Sequence, residues 1–124
     1  MLVGTKNSEL ILGYNGNDLI ISKGGDDCIY GNDGDDLIIG NKGNDEVHGG
    51  PGNDTIEGKN GDDKLFGEGG NDKIKGGGGL DVIFGGLGND ILMGGADEDS
   101  TDGEDGDDIC YDPKNATTPA NCEL

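Results

Sequence analysis

An aspartate stands at every ninth position through most of this chain. Asp18, Asp27, Asp36, Asp45, Asp54, Asp63, Asp72, Asp81, Asp90, Asp99 and Asp108 form a series of eleven without a gap. Two residues after each comes a large aliphatic side chain: Ile20, Ile29, Ile38, Val47, Ile56, Leu65, Ile74, Ile83 and Leu92, giving way to Thr101 and Cys110. Glycine stands two residues before each aspartate except at Asp97, and five before it except at Ser22. The unit is Gly-Gly-x-Gly-x-Asp-x-U-x, with U a large aliphatic. A short period held this long is the signature of a stacked repeat architecture, in which each unit packs only on its neighbours.

These residues resemble the calcium-binding nonapeptide repeats of RTX (repeats-in-toxin), or hemolysin-type, proteins. The resemblance covers Gly13 to Tyr111 and rests on eleven copies in register. It implies an all-β fold, a right-handed parallel β-roll with calcium ions held between successive loops. Residues 1–12 read as a degenerate opening repeat, with Glu9 at the aspartate position and Ile11 at the aliphatic one. Residues 13–111 read as the calcium-binding roll and 112–124 as a non-repeat tail. A solenoid's terminal units are atypical because each must cap an open core.

Composition sets the energetic problem. The chain has 124 residues, 28 glycines, 30% hydrophobic residues, no tryptophan and a net charge of −19. Alone, those values describe a chain that buries too little apolar surface to offset its conformational entropy. The acidity argues against nucleic acid or an anionic membrane as partner, since only eight lysines and no arginine are present. No run approaches the length of a membrane-spanning helix, and no charged-then-apolar leader follows Met1. A polycation or a set of metal ions remains as the partner that answers the charge.

The unit reads as six turn residues followed by three strand residues, so two units close one coil of eighteen. Asp18, Asp36, Asp54, Asp72, Asp90 and Asp108 then stack on one edge, and Asp27, Asp45, Asp63, Asp81 and Asp99 on the other. Neighbouring carboxylates about 4.8 Å apart repel unless a cation lies between them. Carboxylate and backbone carbonyl oxygens suit calcium better than magnesium, which demands tighter octahedral geometry and gives up water reluctantly. Pairing each loop with the loop one coil later, and discounting the damaged Asp97 loop, predicts roughly eight ions, or about sixteen positive charges against the chain's excess. The expected core is one thin file of U side chains per face, so metal binding is expected to supply the folding free energy.

Other readings of single features are weaker. The acidic run Asp97 to Asp108 fails as an EF-hand, because its sixth position is Asp102 instead of glycine and its twelfth is Asp108 instead of glutamate. His48 stands alone at an outward position and reads as a surface residue. In a secreted protein Cys110 and Cys122 are expected to form a disulfide that staples the tail over the open end, leaving Cys28 as an outward free thiol or an intermolecular partner, and Asn115-Ala116-Thr117 fits an N-glycosylation acceptor. Outward strand positions are apolar at both ends of the repeat array and polar in the middle, where Glu57 faces Lys75 and Glu46 faces Lys64 at one-coil separation. The apolar ends suggest cover by a neighbouring domain or a second copy of the chain.

The functional expectation is an extracellular, non-enzymatic module that binds calcium and folds on binding it. The alternative is the repeat segment of a larger secreted RTX-like enzyme, toxin or adhesin whose active part lies elsewhere. An ice-binding face would need a ladder of threonines, and the outward columns hold only Thr55. No nucleophile, base and cleft constellation supports catalysis within the repeats.

Overall fold

The computed structural model describes residues 1–111 and 121–122. They form strands and turns with no helix. The strands are β1 (Leu2–Val3), β2 (Leu10–Leu12), β3 (Leu19–Ile21), β4 (Cys28–Tyr30), β5 (Leu37–Lys42), β6 (Glu46–Pro51) and β7 (Thr55–Asn60). They continue with β8 (Lys64–Gly69), β9 (Lys73–Gly78), β10 (Val82–Leu87), β11 (Ile91–Ala96), β12 (Ser100–Asp105) and β13 (Ile109–Tyr111).

Odd-numbered strands build a seven-stranded sheet and even-numbered strands a six-stranded one, each in sequence order. All pairings are parallel, and partners lie one coil of eighteen residues apart, as in Leu19 with Leu37 and Cys28 with Glu46. The chain alternates between the sheets at every repeat, which is the β-roll.

Alternation within each strand explains the core. In a three-residue strand the middle side chain points inward while its neighbours point out. Ile20, Ile38, Ile56, Ile74 and Leu92 from one sheet meet Ile29, Val47, Leu65 and Ile83 from the other, and all nine are fully buried. Cys110 and Thr101 continue the two files inward at the C-terminal end, and Leu2 and Ile11 lie partly buried at the N-terminal end.

The strands from β5 to β12 run six residues, twice the expected length. Pairing does not stop at the turn: Asn41 aligns with Lys59 and Lys42 with Asn60, and the Gly43 N–H donates to the Asn60 carbonyl at 3.1 Å. Identical turns stacked in parallel form a ladder as readily as strands do. At Lys59 and Glu68 the stacked turn holds a non-glycine residue in the left-handed region, at φ 86° and 78°. That conformation costs about 1 kcal/mol per residue.

The expected disulfide is present, joining the inward Cys110 to Cys122 with Cα atoms 5.5 Å apart. Beside it, the Asn121 side-chain amide donates to Asp102 Oδ1 at 2.8 Å, so this part of the tail lies against the last coils. Cys28 is a free thiol of intermediate exposure. The Asn115-Ala116-Thr117 triplet lies outside the described residues. No helix among the described residues is long and apolar enough to cross a membrane.

Candidate metal centre

The repeat aspartates stack in the two columns expected from the period. Each reaches back one coil with one oxygen. Asp54 Oδ1 accepts the Asp36 N–H at 2.8 Å, Asp72 Oδ1 that of Asp54 at 2.7 Å, and Asp90 Oδ1 that of Asp72 at 2.7 Å. In the other column Asp45 accepts from Asp27, Asp63 from Asp45 and Asp81 from Asp63, at 2.8–2.9 Å. The first rung there comes from the N–H of Glu9, bound to Asp27 at 2.8 Å, while the Glu9 carboxylate folds back onto Thr5.

The second oxygen of these carboxylates is the conspicuous one. Oδ2 of Asp27, Asp36, Asp45, Asp54, Asp63, Asp72, Asp81, Asp90 and Asp108 is buried with no hydrogen-bond partner. A buried anionic oxygen without a partner is costly. Asp18 differs: it is half-buried, and its Oδ2 lies 3.3 Å from the Tyr14 N–H.

Except at Asp27, each of these orphan oxygens lies in a cradle that only glycine leaves open. A Cβ on Gly49 would collide with Asp54 Oδ2 and would also meet the Gly67 carbonyl oxygen. The same pair of neighbours, the repeat aspartate and the carbonyl of the glycine one coil later, recurs at nine-residue steps from Gly31 to Gly85. A carboxylate oxygen and a backbone carbonyl oxygen thus converge in each of these loops. Among the described residues no three His, Cys, Asp or Glu side chains converge on one point. An ion held here would therefore draw on carbonyls as well as carboxylates, a hard oxygen set of the kind calcium takes.

Ser22 shows what happens when the cradle is filled. Its hydroxyl occupies the glycine position of the Asp27 loop and donates to the Gly40 carbonyl, removing that oxygen from the site. The exception at Asp97 acts differently. It holds φ 80° in place of the usual glycine, and its Oδ2 accepts the Gly79 N–H at 3.2 Å.

Burial raises the pKa of these carboxyls. Asp63 and Asp72 are pushed up to about 7, and Asp45, Asp54 and Asp81 to about 6. Loss of water is the main cause; the N–H bond from the coil before opposes it, and neighbouring aspartates add to it. Asp36 and Asp90 shift upward for the same reason. An ion-free roll would take up protons on Asp63 and Asp72 near pH 7.

One set of functional residues escaped the sequence reading because its position was taken as variable. The residue before each repeat aspartate is Asn or Asp in nine of eleven units. These side chains reach forward one coil. Asn53 Oδ1 accepts the Asn71 N–H at 2.7 Å and Asn71 Oδ1 the Asn89 N–H at 2.9 Å. On the other edge Asp26, Asn44 and Asp62 accept from Asn44, Asp62 and Leu80 at 2.8–2.9 Å. Between the ends of the roll, such a loop is stitched to the coil behind by its aspartate and to the coil ahead by this neighbour. At the exposed Leu80 the stitch is lost, since leucine offers Glu98 no oxygen. Leu80→Asn should restore it and stabilise the calcium-loaded roll by about 1 kcal/mol, read as a raised thermal midpoint.

His48 is not isolated. It is one ring of a ladder on the outer face of the six-stranded sheet, stacked on Tyr30 at 4.6 Å and Phe66 at 4.7 Å, with Phe84 5.4 Å beyond Phe66. Its Nδ1 lies 2.8 Å from Glu68 Oε1 and its Nε2 3.2 Å from Glu46 Oε1. This corrects the Glu46 and Lys64 pairing: the two are aligned across the strands, yet Glu46 turns to His48. Likewise Glu57 and Lys75 are aligned, yet Glu57 pairs with Lys59 on its own strand.

A search of curated proteins finds no match to the chain. The family model of the RTX calcium-binding nonapeptide repeat, four copies long, matches residues 12–47, 48–83 and 75–110. Those segments hold both aspartate columns, the glycine cradles and the buried files, and by them the chain belongs to the RTX calcium-binding nonapeptide-repeat family.

Proposed function

We propose that this chain is a calcium-folded β-roll acting outside the cell as a structural or secretion module, alone or as the repeat segment of a larger secreted enzyme, toxin or adhesin. Binding calcium is the property of its family, and neither the repeat nor the solenoid is catalytic in itself. The observation that carries the reading is the file of buried, unpartnered Oδ2 atoms, which from Asp36 to Asp90 each face a carbonyl oxygen across a glycine. Calcium bound there supplies positive charge. The aspartates from Asp18 to Asp108 supply the carboxylates, and the first glycine of each loop supplies the space and the carbonyl.

In the folded roll each aspartate from Asp27 onward is fixed through Oδ1 to the coil behind, and most turns are also stitched to the coil ahead. Roughly eight ions would offset most of the net charge of −19. Calorimetry and metal analysis should find about that number. Asp54→Ala should lower the stoichiometry, because Asp54 belongs to sites on both sides of its loop. Lys59→Ala should leave it unchanged. Equal stoichiometry in wild type and the Asp54 variant would overturn the assignment.

A further inference from the structure

The outer face of the seven-stranded sheet is patterned to match itself. At one end β3 and β5 present Leu19, Ile21, Leu37 and Ile39. At the other, β11 and β13 present Ile91, Met93, Ile109 and Tyr111. Between them β7 and β9 present Thr55, Glu57, Lys73 and Lys75, all in register one coil apart. Leu37, Ile91, Ile109 and Tyr111 are exposed. Among the described residues neither Lys73 nor Lys75 has an ion-pair partner, in a chain of net charge −19.

We propose that this face is the interface of a two-fold symmetric dimer of the chain, with the axis lying in the interface, parallel to the strands, between β7 and β9. Such an axis keeps each residue's place along its strand and reverses the order of the strands. Strand β7 then meets β9 of the partner copy, β5 meets β11 and β3 meets β13. Glu57 falls over the second copy's Lys75, twice by symmetry, and Thr55 over Lys73. Leu37 falls over Ile91, Ile39 over Met93, Leu19 over Ile109 and Ile21 over Tyr111. Every apolar row meets an apolar row.

Charge selects this axis over the alternative. A two-fold along the roll would set β9 on its own copy with Lys73 over Lys75, and like charges brought together across an interface disfavour association. A self-matching patch is what an isologous interface requires. Beside the axis a hollow of about 170 Å³, lined by Thr55, Glu57, Lys73, Lys75 and Met93, leaves room for the partner's lysines. At ~4.8 Å spacing, four six-residue strands ~20 Å long and the three-residue β3 and β13 at ~10 Å give a face of roughly 480 Å² per copy, or about 960 Å² for the pair. That is the size of a weak, transient interface, so a dimer with a Kd of about 100 µM is expected.

Sedimentation equilibrium in saturating calcium tests the proposal, with a Cys28→Ser background to remove intermolecular disulfides and circular dichroism to confirm that each variant is rolled. The mass should double between about 1 µM and about 1 mM chain. Lys75→Glu and Glu57→Lys should each weaken association at least about tenfold. The double variant, which recreates the pair with reversed signs, should recover to near wild type, and Lys64→Glu on the opposite sheet should change nothing. A folded protein that stays monomeric throughout, or a double variant no better than its parents, would overturn the dimer.

Discussion

Chelating calcium is expected to abolish the β circular dichroism of this chain and its cooperative melt at pH 8, and restoring calcium should bring both back, while magnesium should not. Without ions the roll holds two files of carboxylates with a buried, unpartnered oxygen on nearly every loop. Among the described residues the apolar core is the double file from Ile20 to Leu92, continued by Cys110. Each ion would tie loops one coil apart, so the calcium response should be steep, as expected when stacked repeats interact with their nearest neighbours.

Acid should act in opposite directions on the two forms. Asp63 and Asp72 titrate at about 7 and Asp45, Asp54 and Asp81 at about 6 in the ion-free roll. In the unfolded chain they titrate near the ordinary carboxyl value of about 3.9. A folded-state pKa above the unfolded one gives stability that is complete below the unfolded value and lost as pH rises through the folded one. The chelated chain should therefore move toward the roll as pH falls from 8 to about 5, protons standing in for cations. Over the same window calcium affinity should fall, since ligating carboxylates must be deprotonated. A chelated protein that keeps its full signal and melts cooperatively at pH 8 would refute the account.

Gly61→Ala is the substitution expected to do most damage without touching a carboxylate. Gly61 sits at φ 127°, and a Cβ there would overlap the Gly43 carbonyl oxygen in the coil behind. Strain and overlap together should cost on the order of 3 kcal/mol in the calcium-loaded protein. Two other glycines separate those causes. Gly16 has φ 108° but nothing within 4 Å of a built Cβ, so Gly16→Ala should carry the conformational cost alone, about 1 kcal/mol. Gly69 has neither constraint, and Gly69→Ala should be neutral or stabilising by about 0.5 kcal/mol. Thermal unfolding of the three variants checks the order. Similar losses at Gly16 and Gly61 would show that the stacked turns yield to the added methyl.

What the sequence determined by itself was everything that follows from its period. A nine-residue repeat with one inward side chain per strand decides which residues share a column, which fill the core and which face outward, because a parallel stack leaves each residue one vertical neighbour at eighteen. The aspartate columns, the buried files from Ile20 to Leu92 and the two apolar patches were legible on that ground. So was the bridge between Cys110 and Cys122. The tertiary structure decided how polar groups choose among neighbours that the period leaves equally near. Glu57 had Lys75 above it and Lys59 beside it, and takes Lys59. Glu46 had Lys64 above it and turns to His48. The residue before each aspartate looked variable because Asn and Asp alternate there without rule, yet both offer the oxygen that the next loop's N–H requires. The strands proved longer than their aliphatic centres because turns of identical shape stack and bond as strands do, a property of the assembled coils that no single unit carries.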